Sequence, residues 1–393
     1  MINGAGRRRL TSWIESFVEH TVNLESAEIW RKWSAITMIA AALEQKVWLD
    51  TGSVLYPNIY TFLIGDPGLG KSRAITAAAN VVREALPDVH WGGTSMTRAA
   101  LSDYMKEAKR FIANIPYAPI EYNSLIIVAD ELSAFMHEYD SGLVAALVEF
   151  YDVNPYSEGR RMNNLRIEIV RPQLNILSGS TPSNLIHTLK DYVWDQGLMS
   201  RVIMVYADNR PFIDVFNTPR APKPKDLIHD LKLIWTLEGQ FAYSDRFAKA
   251  MNDWRIMKMT PEPSHPKLKH YNTRRFAHLL KLAMIACVDR SMDLKLDVED
   301  FNKAMGWLLE AESRMPAIFQ TGAIAPDSRI MDEIVYFVKQ HPKGVSEHLV
   351  TQFASQRASA NTVRSILGVM ESSQLIKAVH IDPKTGLRLF MVP

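Results

Sequence analysis

The sequence contains one cysteine, Cys287, among 393 residues. An intrachain disulfide is therefore impossible, and a zinc site built from cysteines is excluded. Cys287 lies in the apolar run Leu279 to Val288, where a small buried hydrophobe is expected rather than a reactive thiol. An excess of either charge is also lacking, since 45 Lys plus Arg stand against 43 Asp plus Glu. The chain as a whole exerts no strong pull on polyanions, so any contact with nucleic acid must be local. No apolar run is long. Trp33 to Leu43, closed by Glu44 and Gln45, is about half of the roughly 20 residues a membrane-spanning helix needs, and it reads as a buried helix. No apolar signal-peptide core follows Arg7, Arg8 and Arg9, so a cytoplasmic protein with no membrane partner is expected. No internal repeat or low-complexity tract is present.

What is present is a globular composition, 47% apolar, in a chain long enough for two or three packed domains. Residues 1–25 read as an N-terminal arm with a short helix, Leu10 to His20, whose Trp13, Phe17 and Val18 share one face. From 26 to 225, apolar strand-like runs alternate with helical ones: Tyr60–Ile64, Val89–Gly92, Leu125–Ala129, Leu174–Ser178 and Val202–Tyr206. That alternation predicts an α/β domain with a parallel sheet covered on both faces. Pro211 to Lys225 holds four prolines and ends the domain. Residues 226–325 are helical, with Phe276, Leu279, Leu280, Ala283 and Met284 on one face and a further helix from Val298 to Ala311. The last part, 326–393, predicts helices at Arg329–Gln340, Ser346–Ala354 and Asn361–Ser372, with Asn361 as N-cap. Strands Ile376–Ile381 and Leu387–Val392 follow, joined by Asp382-Pro383-Lys384-Thr385-Gly386. Three helices and a hairpin in this length are the pattern of a winged helix-turn-helix.

The run Gly65-Asp66-Pro67-Gly68-Leu69-Gly70-Lys71-Ser72 has the spacing of a phosphate-binding loop, placed between a strand and the helix opened by Arg73. Glycines let successive backbone N–H groups turn inward around phosphate oxygens, and the helix N-terminus adds its positive end. ATP and Mg²⁺ are the expected ligands: Lys71 for the β- and γ-phosphates, Ser72 for the metal. Leu125 to Ala129 ends in Asp130 and Glu131, which burial forces to the carboxyl end of their strand. There Asp130 would hold Mg²⁺ through water and Glu131 would polarise the attacking water.

With these elements the chain resembles the AAA+ superfamily, an AAA+ P-loop parallel-sheet core with a helical lid, in which ATP sits between neighbouring subunits of a ring. In Ser178-Gly179-Ser180-Thr181 the resemblance implies a polar residue orienting the lytic water, Thr181 or Ser180, although Pro182 stands where many members have Asn. Gly197-Leu198-Met199-Ser200-Arg201 looks like the Ser-Arg motif whose arginine, here Arg201, reaches the next subunit's site. Thr273-Arg274-Arg275-Phe276 looks like the sensor 2 helix of minichromosome-maintenance-type helicases, with Arg274, or else Arg275, as the nucleotide-binding arginine. The next lid helix is matched by Leu296 to Ala304. From Trp30 to about Ala311 the arrangement is similar to phage and mobile-element ATPases described as replicative or primase-associated helicases, with Tyr56-Pro57-Asn58 and Asp130-Glu131-Leu132-Ser133 among the shared features.

Two local basic elements offset the neutral total. Residues 159–171 hold Arg160, Arg161, Arg166 and Arg171 against Glu168, at the point where such helicases insert a hairpin facing the central channel. Arg160, Arg161, Asn163 and Asn164 are the candidates for tracking a phosphate backbone. In the predicted winged helix, Arg357, Arg364, Lys377, Lys384 and Arg388 face two acids, Glu371 and Asp382, and Arg357, Arg364 and Lys384 are the candidates for duplex contact. The expected protein is a hexameric helicase on single-stranded DNA, with duplex or origin DNA and a primase or other replication proteins as further partners. The alternatives are a helicase loader or DNA-remodelling ATPase, and a nucleotide-switched winged-helix regulator.

Overall fold

The computed structural model describes residues 6–113, 117–136, 140–160, 165–189, 193–194, 196–214, 216, 224–322, 326–341, 344–355, 357–382 and 387–392. It is a mixed α/β structure of two compact units, 1–322 and 323–393. No helix among the described residues is long and apolar enough to cross a membrane.

The first unit opens with α1 (Trp13–His20) and α2 (Glu28–Leu43), followed by the short strands β1 (Val47–Asp50) and β2 (Val54–Leu55). Then come β3 (Tyr60–Ile64), α3 (Lys71–Ala85), α4 (Arg98–Glu107), β4 (Lys109–Ile112), β5 (Ile120–Ala129), α5 (Leu132–Phe135) and α6 (Ser141–Asp152). The hairpin β6 (Tyr156–Arg160) and β7 (Leu165–Ile169) leads to β8 (Pro172–Ser180), α7 (Pro182–Thr188) and β9 (Val202–Tyr206). The central sheet has the order β4-β5-β8-β3-β9, parallel except for the edge strand β4. Every residue of β3, β8 and β9 is buried, as strands covered on both faces must be. Helix α2 is buried almost all round, Trp30, Trp33 and Ile36 included, and packs against α3 and the sheet.

The helices α8 (Lys225–Trp235), α9 (Asp245–Met257), α10 (Lys269–Arg290), α11 (Val298–Glu312) and α12 (Met315–Gly322) complete the unit, with the two-residue strands β10 (Gly239–Gln240), β11 (Ala242–Tyr243) and β12 (Lys295–Leu296). In the second unit α13 (Pro326–Lys339), α14 (Glu347–Ala354) and α15 (Ala360–Ser372) surround their own apolar core. A three-stranded antiparallel sheet joins β13 (Val345–Ser346), β14 (Lys377–Asp382) and β15 (Leu387–Met391) in the order β13-β15-β14.

Several expectations shift. Val89–Gly92 is no strand: Trp91 makes one parallel bridge to Ile126, flanked by Gly92 N–H to Ile126 O at 2.8 Å and Ile126 N–H to His90 O at 3.0 Å. The edge strand β4 pairs with Ile120–Asn123, the first part of that side of β5. The first helix starts at Trp13, not Leu10, because Ser12 is extended and its hydroxyl accepts the Glu15 N–H. Ser359, not Asn361, caps α15, accepting the Thr362 N–H at 3.3 Å. The turn expected at Asp382–Gly386 lies largely outside the described residues.

The described residues 6–25 are tied into the first unit rather than standing apart as an arm. The fully buried carboxylate of Asp230 accepts the Arg9 and Leu10 N–H groups, each at 2.9 Å, and pairs with Arg8 at 3.5 Å. Asp289, equally buried, takes the Ile14 N–H at 2.9 Å, the Ser12 hydroxyl at 2.6 Å and the Lys303 ammonium at 2.6 Å. Burial alone would raise the Asp230 carboxyl. Bonds from His229, Arg9 and Leu10 and the charge of Arg8 outweigh it and hold the group below the usual carboxylate range. Asp230→Ala should cost about 3 kcal/mol in urea unfolding, since it strands buried donors and a cation. Because the folded value is depressed, that stabilisation is present above about pH 4 and lost as pH falls through the folded value. The gap between wild type and Asp230→Ala should therefore close in acid; a gap that widened there would refute the assignment.

Candidate functional site

A parallel sheet gathers its carboxyl ends along one edge, and here β3, β5 and β8 deliver their following residues to the same place. The Gly65 N–H donates to Ser180 O at 3.2 Å, and the Ala207 N–H to Ile64 O at 3.0 Å, tying the loop after β3 to the ends of both neighbouring strands. The loop ends at Gly70, the N-cap of α3, which makes no side-chain capping bond. The first-turn N–H groups are thus left for another acceptor, at the positive end of a 15-residue helix. Gly70 adopts φ +92°, and a Cβ there would lie 2.0 Å from Glu25 O.

Lys71 is buried, 7% exposed, and its Nζ donates to Gly65 O at 2.6 Å and Asp66 O at 2.9 Å. The Trp30 ring lies 5.7 Å from the same Nζ, and the Trp30 indole is fixed by a 3.0 Å bond to Val205 O. Burial lowers the Lys71 pKa, against the opposing pull of Glu131 and Asp66. A lysine whose hydrogen bonds go to loop carbonyls, beside uncapped helix N–H groups, fits an anion such as a triphosphate.

The carboxylates stand next to this cradle. A Cβ on Gly179 would meet Asp130 O at 2.4 Å, so β8 and the end of β5 approach as closely as they do because residue 179 has no side chain. Asp130 and Ser72 are exposed and Glu131 is half-buried. A Mg²⁺ ion keeps several waters and takes few protein oxygens, so one hydroxyl and one carboxylate beside bound phosphates fit it. Glu131 Oε1 accepts the Ser180 hydroxyl at 3.4 Å and the Asn184 amide at 3.2 Å. Thr181 is spent elsewhere, its hydroxyl oxygen capping α7 by accepting the Asn184 N–H at 3.1 Å. Of the two candidates it is therefore Ser180 that touches Glu131, together with Asn184, which sequence reasoning missed although it lies one turn beyond Thr181.

Arg73 reaches no loop atom among its described bonds; it pairs with Glu25 at 2.9 Å, and Arg210 joins the same carboxylate at 3.2 Å. The hydrogen bond from Arg73 and the charge of Arg210 hold Glu25 below the usual carboxylate range, against a smaller effect of burial. These two partners come from segments with no local signature.

Arg201 and Arg274 lie at the other end of the sheet. Val202 is in register with Tyr60, so Arg201 is level with Ile59, six positions before Gly65. At 3.3 Å per residue that is about 20 Å from the Gly65–Ser72 loop of its own chain. Arg201 donates to Gly197 O at 2.7 Å and pairs with Asp152, and Arg274 meets the same carboxylate at 3.0 Å. Arg274 is therefore not brought to its own loop. Arg275 is an interior residue, 4% exposed, forked onto Glu312 at 2.8 and 2.7 Å.

The β6–β7 hairpin exists, with Tyr156 opposite Ile169 and Arg160 opposite Leu165. Arg160 turns back onto the body of the unit, paired with Asp103 at 2.9 Å and Glu158 at 3.1 Å and donating to Ala99 O at 2.7 Å. Its charge is thus largely neutralised. Arg161, Asn163 and Asn164 lie outside the described residues, as does Lys384. In the second unit Arg357 is paired with Glu333 and Arg388 with Glu371, while Arg364 is exposed.

No protein-family model matches the chain, and no curated protein sequence matches it significantly.

The two positive-φ glycines of the loop should respond unequally to alanine. Gly68, φ +82°, has open space where a Cβ would go, so Gly68→Ala should cost about 1–2 kcal/mol of backbone strain. Gly70→Ala adds a collision with the Glu25 carbonyl and should cost more, read by thermal unfolding without ligand. Equal effects would show that the 21–27 segment does not press on the loop.

Proposed function

We propose that the first unit is an AAA+ P-loop ATPase that works as an oligomer and couples ATP hydrolysis to movement along single-stranded DNA. The second unit acts as a winged-helix module on duplex DNA. The observation that carries the reading is the two-ended sheet: a phosphate cradle with Lys71 and Glu131 at one end, and Arg201 about 20 Å away at the other. An arginine so placed can serve a nucleotide only in a second copy of the chain, and a head-to-tail contact of this kind builds a ring where the rotation between neighbours closes. The strand order, with the Trp91 bridge flanking β5, supports a P-loop core. The helix-strand-helix-helix-hairpin order of 326–391 supports the winged helix.

In this reading the α3 N-terminus and Lys71 bind the β- and γ-phosphates, and Ser72 and Asp130 hold Mg²⁺, which when bound would neutralise charge on those phosphates. Glu131 accepts a proton from the attacking water, held in place by Ser180 and Asn184. Arg201, always charged and planar, offsets charge developing on the terminal phosphate of the neighbouring copy.

A second reading, a helicase loader, is favoured by the neutralised Arg160, which leaves the hairpin less charge to grip a strand. Strand displacement on a forked duplex, with purified protein and ATP, distinguishes the two: ATP hydrolysis without displacement points to the loader.

Lys71→Ala should abolish tight ATP binding, whereas Glu131→Gln should bind ATP and lose turnover by about 100-fold or more, because Glu131 acts on water in the transition state. Near wild-type turnover in Glu131→Gln would remove it as the base. Arg201→Ala subunits, intact at their own loop, should recover hydrolysis when mixed with Lys71→Ala subunits. With mixed assembly verified, no recovery at any ratio would rule out a shared site.

A further inference from the structure

Asp152 ends α6, where the last carbonyls of the helix already concentrate negative charge and a carboxylate is disfavoured. It nevertheless receives two guanidiniums from distant parts of the chain, Arg201 just before β9 and Arg274 in α10. Arg274 straddles the carboxylate, with Nη1 at 3.0 Å from Oδ1 and Nη2 at 3.4 Å from Oδ2, and Arg201 takes Oδ2 as well. Burial would raise the Asp152 carboxyl, but the bonds and charges of the two arginines outweigh it and keep the group ionised. The side chains are graded in exposure: Arg201 8%, Asp152 27%, Arg274 32%. Two cations against one anion leave an excess of positive charge at a place that solvent reaches. Lys281 lies nearby, buried beside Tyr151 and bonded to the Asn58 carbonyl at 2.9 Å.

Without the carboxylate the two guanidiniums would repel each other, and Arg201, whose Nε has no partner among the described residues, would lose its one charged contact. We propose that Asp152 is a positioning residue: it gathers Arg201 and Arg274 into one preset pair of cations for the terminal phosphate of a nucleotide held by a neighbouring copy. This rests on the shared-site reading above and extends it by a residue that touches no substrate. It also assigns Arg274 to the neighbour's nucleotide rather than its own.

Asp152→Asn tests this. It keeps the shape and removes the charge, so kcat should fall about 10- to 100-fold while binding of a fluorescent ATP analogue to the variant's own loop is unchanged. The defect should be repaired in trans: Lys71→Ala subunits carry an intact Asp152 and present its arginine pair to the variant's loop. Asp152→Glu, which keeps the charge and shifts it by one methylene, should retain more activity than Asp152→Asn and carries the same test where the amide variant does not fold. A kcat equal to or above wild type in Asp152→Asn would overturn the proposal, showing that the carboxylate is idle or masks the arginines. Failure of trans repair, in a mixture where Arg201→Ala is repaired, would overturn it too, placing Asp152's effect inside its own subunit. Full activity in Arg201→Ala would instead sink the shared site itself.

Discussion

The polarity of one parallel sheet governs where chemistry can stand in this molecule. Because β3, β5, β8 and β9 run the same way, residues that follow strands collect at one edge and residues that precede them at the opposite edge. Lys71, Asp130, Glu131 and Ser180 belong to the first group, and Asn58 and Arg201 to the second. No side-chain movement exchanges members between the groups, since about 20 Å of buried strand lies between them. The sheet tolerates this because both faces are covered: α2, with Trp30 and Trp33 fully buried, lies on it together with α3, and α6 packs against β8. Burial on both faces also sends the charged side chains to the two edges, while the polar ones kept inside the strands, Thr61, Gln173 and Asn175 among them, are uncharged.

The edge that carries Arg201 is held by the polar face of α10. Arg274, His278 and Lys281 follow at intervals of four and three, so they share one side of the helix. His278 donates from Nε2 to Ser200 O at 2.9 Å and faces the Tyr151 hydroxyl at 3.4 Å. Burial pushes its pKa down to about 3, so the ring is neutral. Lys281 donates to both oxygens of Asn58, 2.9 and 2.7 Å away, and burial lowers it to about 7, against the attraction of Asp152. These groups bond to the residues immediately before β3, β9 and the end of α6. The helix thereby fixes where Arg201 emerges relative to the strand that leads into the Gly65–Ser72 loop. An apolar helix could bury as much surface, but it could not satisfy the carbonyls of Asn58 and Ser200, and unpaired buried carbonyls are costly. Arg275 on the same helix turns the other way, into the Glu312 and Tyr271 interior.

Strong local patterns were legible in the sequence. The strand-like run Tyr60 to Ile64, followed by the glycine-rich Gly65 to Ser72 and a helical pattern, reads as a strand, a turn and a helix, and the structure has that order. Leu125 to Glu131 was equally plain, since burial of the run leaves the acids no place but its end. The weaker parts depended on contacts that no window of sequence contains. Val89–Gly92 has strand composition, but it meets β5 only in the single bridge at Ile126, while β4 is the strand that pairs with β5 on that side. Thr181 and Ser180 are equivalent as polar residues after a strand, and what separates them is the geometry of a helix cap. Asp152 looks like an ordinary helix-end acid; its partners lie 49 and 122 residues downstream. Arg274 and Arg275 are adjacent and chemically identical, and the helix rotation of about 100° between neighbours sends one to a surface carboxylate and the other into the core.

The same distinction between charge carried and charge available bears on nucleic acid. Counting basic residues in the 159–171 segment suggests a cationic hairpin, but an arginine already forked onto carboxylates must give them up before it can meet phosphate. Arg160 is shared by Asp103 and Glu158, and Arg166 sits 2.7 Å from Glu168 along the exposed face of β7. The exposed pair is cheap to separate, because such pairs contribute little in water. The Arg160 network is not, since Glu158 is 7% exposed and also bonds Ser102 at 2.7 Å and Tyr156 at 3.0 Å. Arg160, the last residue of β6, is thus a brace that ties the turn end of the hairpin to α4, and that network must be broken before its charge is available. In the second unit the same accounting removes Arg357 and Arg388, each held by a glutamate, and leaves Arg364 on the exposed side of α15. If that unit meets a duplex as proposed, the candidates left exposed among the described residues are Arg364 on α15, the helix after α14, and Lys377 on β14.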